Sequence, residues 1–140
     1  MPAVGDTFSL RAGESITIRV LTDELLELEA TWVPASAHPP KHLHPSQDEH
    51  FEVLEGELTV EAGKERAILH AGDTYDIPRK TVHRMFNSGD GPARATWRVT
   101  PPQRTAEMFA ALDGGINPAQ GAKILWEFRH EFRLPGPLQR

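Results

Sequence analysis

From Glu14 to Val20 polar and apolar residues alternate, with the order Ser-Ile-Thr-Ile-Arg-Val after the glutamate. A period of two buries one face of a β-strand and leaves the other wet. Leu25 to Val33 continues the pattern less regularly, and Pro34, Pro39 and Pro40 then break it with a loop, because proline cannot donate to a strand ladder. Strand-like runs follow at short intervals: Glu49 to Leu54, Glu57 to Val60, Arg66 to Leu69, Asp73 to Ile77, His83 to Phe86 and Ala93 to Thr100. Glu55-Gly56 suits a hairpin, Ala71-Gly72 repeats it, and Pro78 to Thr81 and Ser88 to Pro92 supply two more turns. The pattern predicts eight or more short strands.

Beyond Pro101-Pro102 the period changes. Thr105 is placed to cap a helix containing Ala106, Met108, Phe109 and Leu112 and stopping at Gly114-Gly115. Asn117 and Pro118 read as an N-cap followed by a first-turn proline, after which Ile124, Leu125, Phe128 and Phe132 fall at helical spacing. Strands first and helices last predict an all-β barrel over residues 1–100, with a helical extension over 101–140 that packs on the barrel or on a second subunit.

Composition narrows this picture. At 140 residues the chain has the length of one domain, and hydrophobic and charged fractions of 39% and 25% exclude a disordered body. A net charge of −5 without any Lys/Arg run argues against nucleic-acid binding. There is no cysteine, so no disulfide, thiolate nucleophile or thiolate ligand is available, and any metal must take N and O donors. The N-terminus lacks the basic start and apolar run of a signal peptide, and no stretch approaches the ~18 apolar residues of a membrane span. The expectation is a cytoplasmic protein without a membrane partner.

His42 and His44 are one residue apart, so on a strand both imidazoles leave the same face. Glu49 follows after a gap long enough for a turn, and His83 opens a later strand-like run. Three neutral imidazoles and one carboxylate form an N3O set suited to one divalent transition metal ion: Fe, Mn, Ni, Co, Cu or Zn. Four protein ligands on an octahedral ion would leave two positions for substrate or dioxygen.

The stretch from His42 to Gly56, HLHPSQDEHFEVLEG, resembles the first conserved motif of the cupin family: HxH, four residues, Glu, six residues, Gly. Gly72 to Asn87, GDTYDIPRKTVHRMFN, resembles the second, G(x)5PxG(x)2H(x)3N, except that Lys80 stands in place of the usual glycine. The glycine often found before HxH is also replaced, within the proline-rich segment. The resemblance covers roughly residues 14 to 100. It implies that His42, His44, Glu49 and His83 are the metal ligands and that the fold is a double-stranded β-helix, or jelly-roll, barrel of six to eight strands.

Side-chain parity sorts the neighbours. Phe51 and Val53 share a face with Glu49, and Met85 and Asn87 share one with His83, so these four are expected inside the barrel, with Asn87 tying down a turn through its amide. His50 should face outward, and His38, His70 and His130 lie outside the constellation. Tyr75, the only tyrosine, is a candidate proton donor if it faces inward, and Gln47 and Asp48 are candidates for the cavity rim. Arg19, Arg84 and Arg98 are read as outer-face residues, and Trp32, Trp97 and Trp126 as core or interface.

Cupins include dioxygenases, isomerases, decarboxylases and cyclases. The resemblance therefore implies a metal-dependent enzyme acting on a small oxygenated molecule, with Glu49 as ligand or base and Tyr75 as a second catalytic candidate. The alternative is a non-catalytic barrel that binds or senses such a molecule. A homodimer is expected, with Phe109, Ile124 and Phe128 as contacts.

Overall fold

A computed structural model describes residues 1–137. Nine strands precede two helices: β1 (Thr7–Arg11), β2 (Glu14–Leu21), β3 (Leu26–Trp32), β4 (Asp48–Glu55), β5 (Glu57–Ala62), β6 (Glu65–His70), β7 (Thr74–Ile77), β8 (His83–Asn87), β9 (Ala93–Thr100), α1 (Thr105–Leu112) and α2 (Pro118–Glu127). The alternation in the sequence becomes alternation of burial. In β2, Ile16 and Ile18 are buried between partly exposed Ser15 and Thr17, and in β4, Glu49, Phe51 and Val53 face inward together. Each fully buried Ile or Leu stabilises the fold by about 1.5–3 kcal/mol relative to exposure.

All strand pairs are antiparallel and form two sheets, one ordered β1-β2-β3-β9-β4-β7 and the other β6-β5-β8. The architecture is all-β with two short C-terminal helices, as the order of patterns predicts. The connections differ from the expectation. Glu55-Gly56 does not close a hairpin: β4 belongs to the larger sheet and β5 to the smaller, so Gly56 turns a corner between them. It does so at φ 78°, and an added Cβ would lie 2.3 Å from the Pro92 carbonyl oxygen, so only glycine fits. Ala71-Gly72 likewise carries the chain from β6 in one sheet to β7 in the other. Corner and hairpin share the same turn residues, which is why periodicity and composition do not distinguish them.

The C-terminal segment also departs in detail. Thr105 is the first residue of α1 and does not cap it. The N-cap is Arg104, without a side-chain cap, and the Thr105 hydroxyl instead accepts a hydrogen bond from the Gln47 amide. Asn117 caps α2 as expected, in a reciprocal box with Gln120. The helical spacing of Phe128 and Phe132 does not extend the helix. α2 stops at Glu127, Phe128 forms its C-cap, and the chain then turns back so that Leu43 and Arg133 exchange backbone hydrogen bonds. Phe109 and Phe128 are 4% and 2% exposed, buried within this same chain, and so are not available as contacts to a second copy.

Candidate metal centre

After β3 the proline-rich loop delivers His42, which is not part of a long strand but is locked to the first residue of β8. The His42 N–H donates to the His83 carbonyl at 3.0 Å, and the His83 N–H donates back at 2.8 Å. Lys80, in the turn before His83, adopts φ 68° and donates its N–H to the His44 carbonyl at 2.8 Å. The lysine thus holds the left-handed conformation that glycine would reach without strain. Inward-facing Glu49 on β4 completes the convergence.

The rings of His42, His44 and His83 lie 4.5–5.1 Å apart between centroids, and one nitrogen from each falls within 4.8 Å of the others. Glu49 Oε1 is 3.0 Å from His44 Nε2 and 2.8 Å from His83 Nε2. Each imidazole is oriented from behind by a carbonyl: Nδ1 of His42 donates to Pro40 (2.8 Å), that of His44 to Glu131 (2.7 Å) and that of His83 to Thr81 (2.8 Å). Carbonyl oxygens only accept, so the proton of each neutral ring sits on Nδ1 and the Nε2 lone pair is left free. This is the outer support that metal-binding histidines receive.

The electrostatics agree. Burial, with His83 and His44 nearby, pushes the pKa of His42 down to about 3 and keeps it neutral. Burial disfavours the Glu49 carboxylate, but His44 and His83 in their protonated forms outweigh it and hold Glu49 well below the usual carboxylate range, the part a cation would take over from those protons. Burial also disfavours the charged form of His44, and Glu49 reverses it, raising that pKa. With the ring protons on Nδ1, Glu49 Oε1 and His44 Nε2 are left without a hydrogen-bond partner although both are fully buried. Buried polar atoms are rarely left so. Lone pairs facing a buried carboxylate need a positive charge among them. The residues fit a divalent ion.

The cluster opens into a cavity of about 60 Å³, room for about four to six waters or a small organic molecule. Its walls are largely apolar and aromatic. Phe51 and Met85 line it as parity predicts, whereas Val53 and Asn87 are buried without reaching it. The Asn87 amide holds the following turn, donating to the Gly91 carbonyl and accepting from the Gly89 N–H. Tyr75 is not brought to the site. It is half-buried and its hydroxyl donates to Glu65 at 2.9 Å. Gln47 and Asp48 do not rim the cavity either: Gln47 is buried and donates to the carbonyls of Pro101 and Pro102, and Asp48 pairs with Arg79. His50 bonds Asp76 on the outside, and Arg19, Arg84 and Arg98 pair with Glu29, Glu61 and Glu27.

Several residues at the site escape sequence reasoning. Trp97, read as core, donates its indole N–H to Glu49 Oε2 at 2.7 Å and lines the cavity. Its parity with Val99 and Ala95 on β9 was the available signal. Phe132 stacks on His42 with ring centroids 4.6 Å apart, and the Glu131 carbonyl orients His44, both from beyond α2. Arg11 and Glu14 also line the cavity, and nothing in the two motifs points to them.

A family model described as a cupin domain matches residues 28–99. An uncharacterized protein, YdbB of Bacillus subtilis, is 54% identical over 44 residues, which is 31% of this chain and 39% of that protein, so the chain spans well under half of this relative's length. Among solved structures, KdgF from Halomonas sp. is similar with a TM-score of 0.64 and 22% identity, over 71% of this chain and 91% of that one. An oxalate oxidase is similar with a TM-score of 0.55 and 24% identity, over 64% of this chain and 52% of the other. At these identities the likeness is one of fold. Among the described residues no helix is long and apolar enough to cross a membrane.

Proposed function

The chain belongs to the cupin family, and from that premise we propose that it is a metal-dependent mono-cupin enzyme acting on a small oxygenated organic molecule. The observation that carries the reading is the set of three imidazoles whose Nδ1 atoms are all tied to carbonyls, leaving three free Nε2 atoms beside an unsatisfied, buried Glu49 oxygen. His42, His44, His83 and Glu49 would hold one divalent transition metal. Such an ion supplies Lewis acidity toward a substrate oxygen.

The chain's own groups do the rest. Trp97 fixes Glu49 Oε2, so the carboxylate presents Oε1 to the imidazoles. Glu49 is held ionised and can serve as ligand or take a proton from a bound substrate. The aromatic walls exclude water and strengthen each polar contact inside. Tyr75, bonded to Glu65, has no part in this proposal. Exposed Ile116, Leu125 and Trp126, in and just before α2, support a homodimer, which light scattering tests and a monomer at high concentration refutes.

The decisive experiment is metal analysis of the purified protein and calorimetric titration with divalent ions, followed by a substrate screen with and without chelator. One ion per chain, lost in His42→Ala, is expected, with turnover that disappears on chelation. Turnover indifferent to the loss of His42 overturns the proposal, and tight ligand binding without turnover identifies a binding or sensing barrel instead.

A further inference from the structure

Arg11, Glu14 and Trp32 line the cavity from β1, β2 and β3, whereas the four proposed ligands come from the loop before β4, from β4 itself and from β8. Glu14 is the register partner of both Arg11 on β1 and Trp32 on β3, so the three side chains converge at one end of these strands. Arg11 Nη1 donates to Glu14 Oε1 at 2.7 Å.

The cluster is incomplete as it stands. The Glu14 side chain is 6% exposed, and burial raises its pKa although Arg11 acts the other way. Its Oε2 makes no hydrogen bond among the described residues. Trp32 is 2% exposed and its indole N–H has no acceptor. A buried indole N–H left unpaired is costly, and phenylalanine would fill the same space without that cost, while Glu14 Oε2 on the same cavity wall is free to accept. The rest of the cavity wall is mainly apolar, and the Trp97 N–H is already engaged by Glu49.

We propose that Arg11, Glu14 and Trp32 form a specificity subsite that binds a hydroxyl group of the substrate, at the end of a small flat apolar molecule away from its metal-binding oxygens. A hydroxyl both donates and accepts, so it satisfies Glu14 Oε2 and the Trp32 N–H together. A carboxylate at this end would meet the Glu14 charge, with Arg11 already committed to that residue. An ammonium would leave the indole without an acceptor. The orientation of the bound molecule rests on the metal reading above, while the hydroxyl preference does not.

The test compares benzohydroxamic acid with its 3-hydroxy and 4-hydroxy derivatives, which share one chelating end. Binding is measured by calorimetry on zinc-loaded and on chelator-treated protein, after a zinc titration of each variant. In the loaded protein one of the hydroxylated probes should bind about tenfold tighter than the parent, the effect of one hydrogen bond to a charged group. Glu14→Leu and Trp32→Phe should each bring that ratio toward one, with zinc uptake retained as the sign of an intact fold. If Glu14→Leu does not fold, Trp32→Phe carries the test. Equal binding of all three probes, a ratio unchanged in the folded variants, or no probe binding in either arm overturns the subsite. A preference that persists in protein unable to bind zinc supports the subsite and overturns the metal reading alone.

Discussion

Glu49 and Glu14 are both buried carboxylates lining one cavity, yet their surroundings treat them in opposite ways. Glu49 is 3% exposed, touches two imidazoles and one indole N–H, and lies well below the ordinary carboxylate pKa. Glu14 is 6% exposed, has a single arginine partner at the cavity edge, and lies above that range. Burial opposes ionisation at both. His44 and His83 overcome it at the first, and with His42 they surround a place for a cation. One partly exposed guanidinium does not overcome it at the second, so Glu14 keeps part of the cost of its burial.

The largest effect that would break this contrast is at His83. Replacing it with alanine removes a donor and the contact to Glu49 Oε1, and divalent-metal affinity should fall by more than about a hundredfold, beyond the 10–100-fold typical of outer contacts. A fall of only a few-fold in calorimetry would mean that the imidazoles do not share an ion. Next, a metal supplied at about 100 times its wild-type dissociation constant should stabilise the wild type by about 2.7 kcal/mol and His83→Ala by less than about 0.4 kcal/mol, read as a shift of the thermal midpoint. Trp97→Phe keeps the ring and deletes the hydrogen bond to Glu49 Oε2, so metal affinity should drop by about 10–100-fold while the apo fold persists.

The smallest effect is at the other carboxylate. The folded pKa of Glu14 is raised above the unfolded value of 4.5, so the native state binds more protons there and stability declines as pH rises from 4.5 through the folded value. Glu14→Gln removes that loss. Its thermal midpoint should exceed the wild type by a few degrees at pH 7 and by nothing below pH 4.5. A variant less stable than wild type at pH 7 would mean that the Arg11 pair outweighs burial.

The two ends also differ in how far they were readable beforehand. His42, His44, Glu49 and His83 announce themselves through fixed spacing, because a turn of given length sets which strand faces can meet. The strands were legible for the same reason: Ile16, Ile18, Phe51 and Val53 alternate with polar neighbours. Glu14 shares that alternation and looks like one more position in β2, since nothing local tells a buried glutamate from a solvated one. Gly56 signalled a turn correctly but not its destination, as sheet membership depends on partners far along the chain. Phe132 kept its helical spacing and still left the helix, because pairing of Leu43 with Arg133 decides the path there. Tyr75 was singled out by rarity, a property that carries no direction in space.

The contact between His44 Nδ1 and the carbonyl of Glu131 joins positions 87 residues apart through a main-chain atom. No replacement of the Glu131 side chain deletes that oxygen, so scanning mutagenesis of this stretch will understate its importance. An insertion or deletion of a single residue between Phe128 and Arg133 would shift which carbonyl arrives and let the His44 ring rotate. Tolerance to substitution and intolerance to changes in chain length should therefore coexist in the same half-dozen positions.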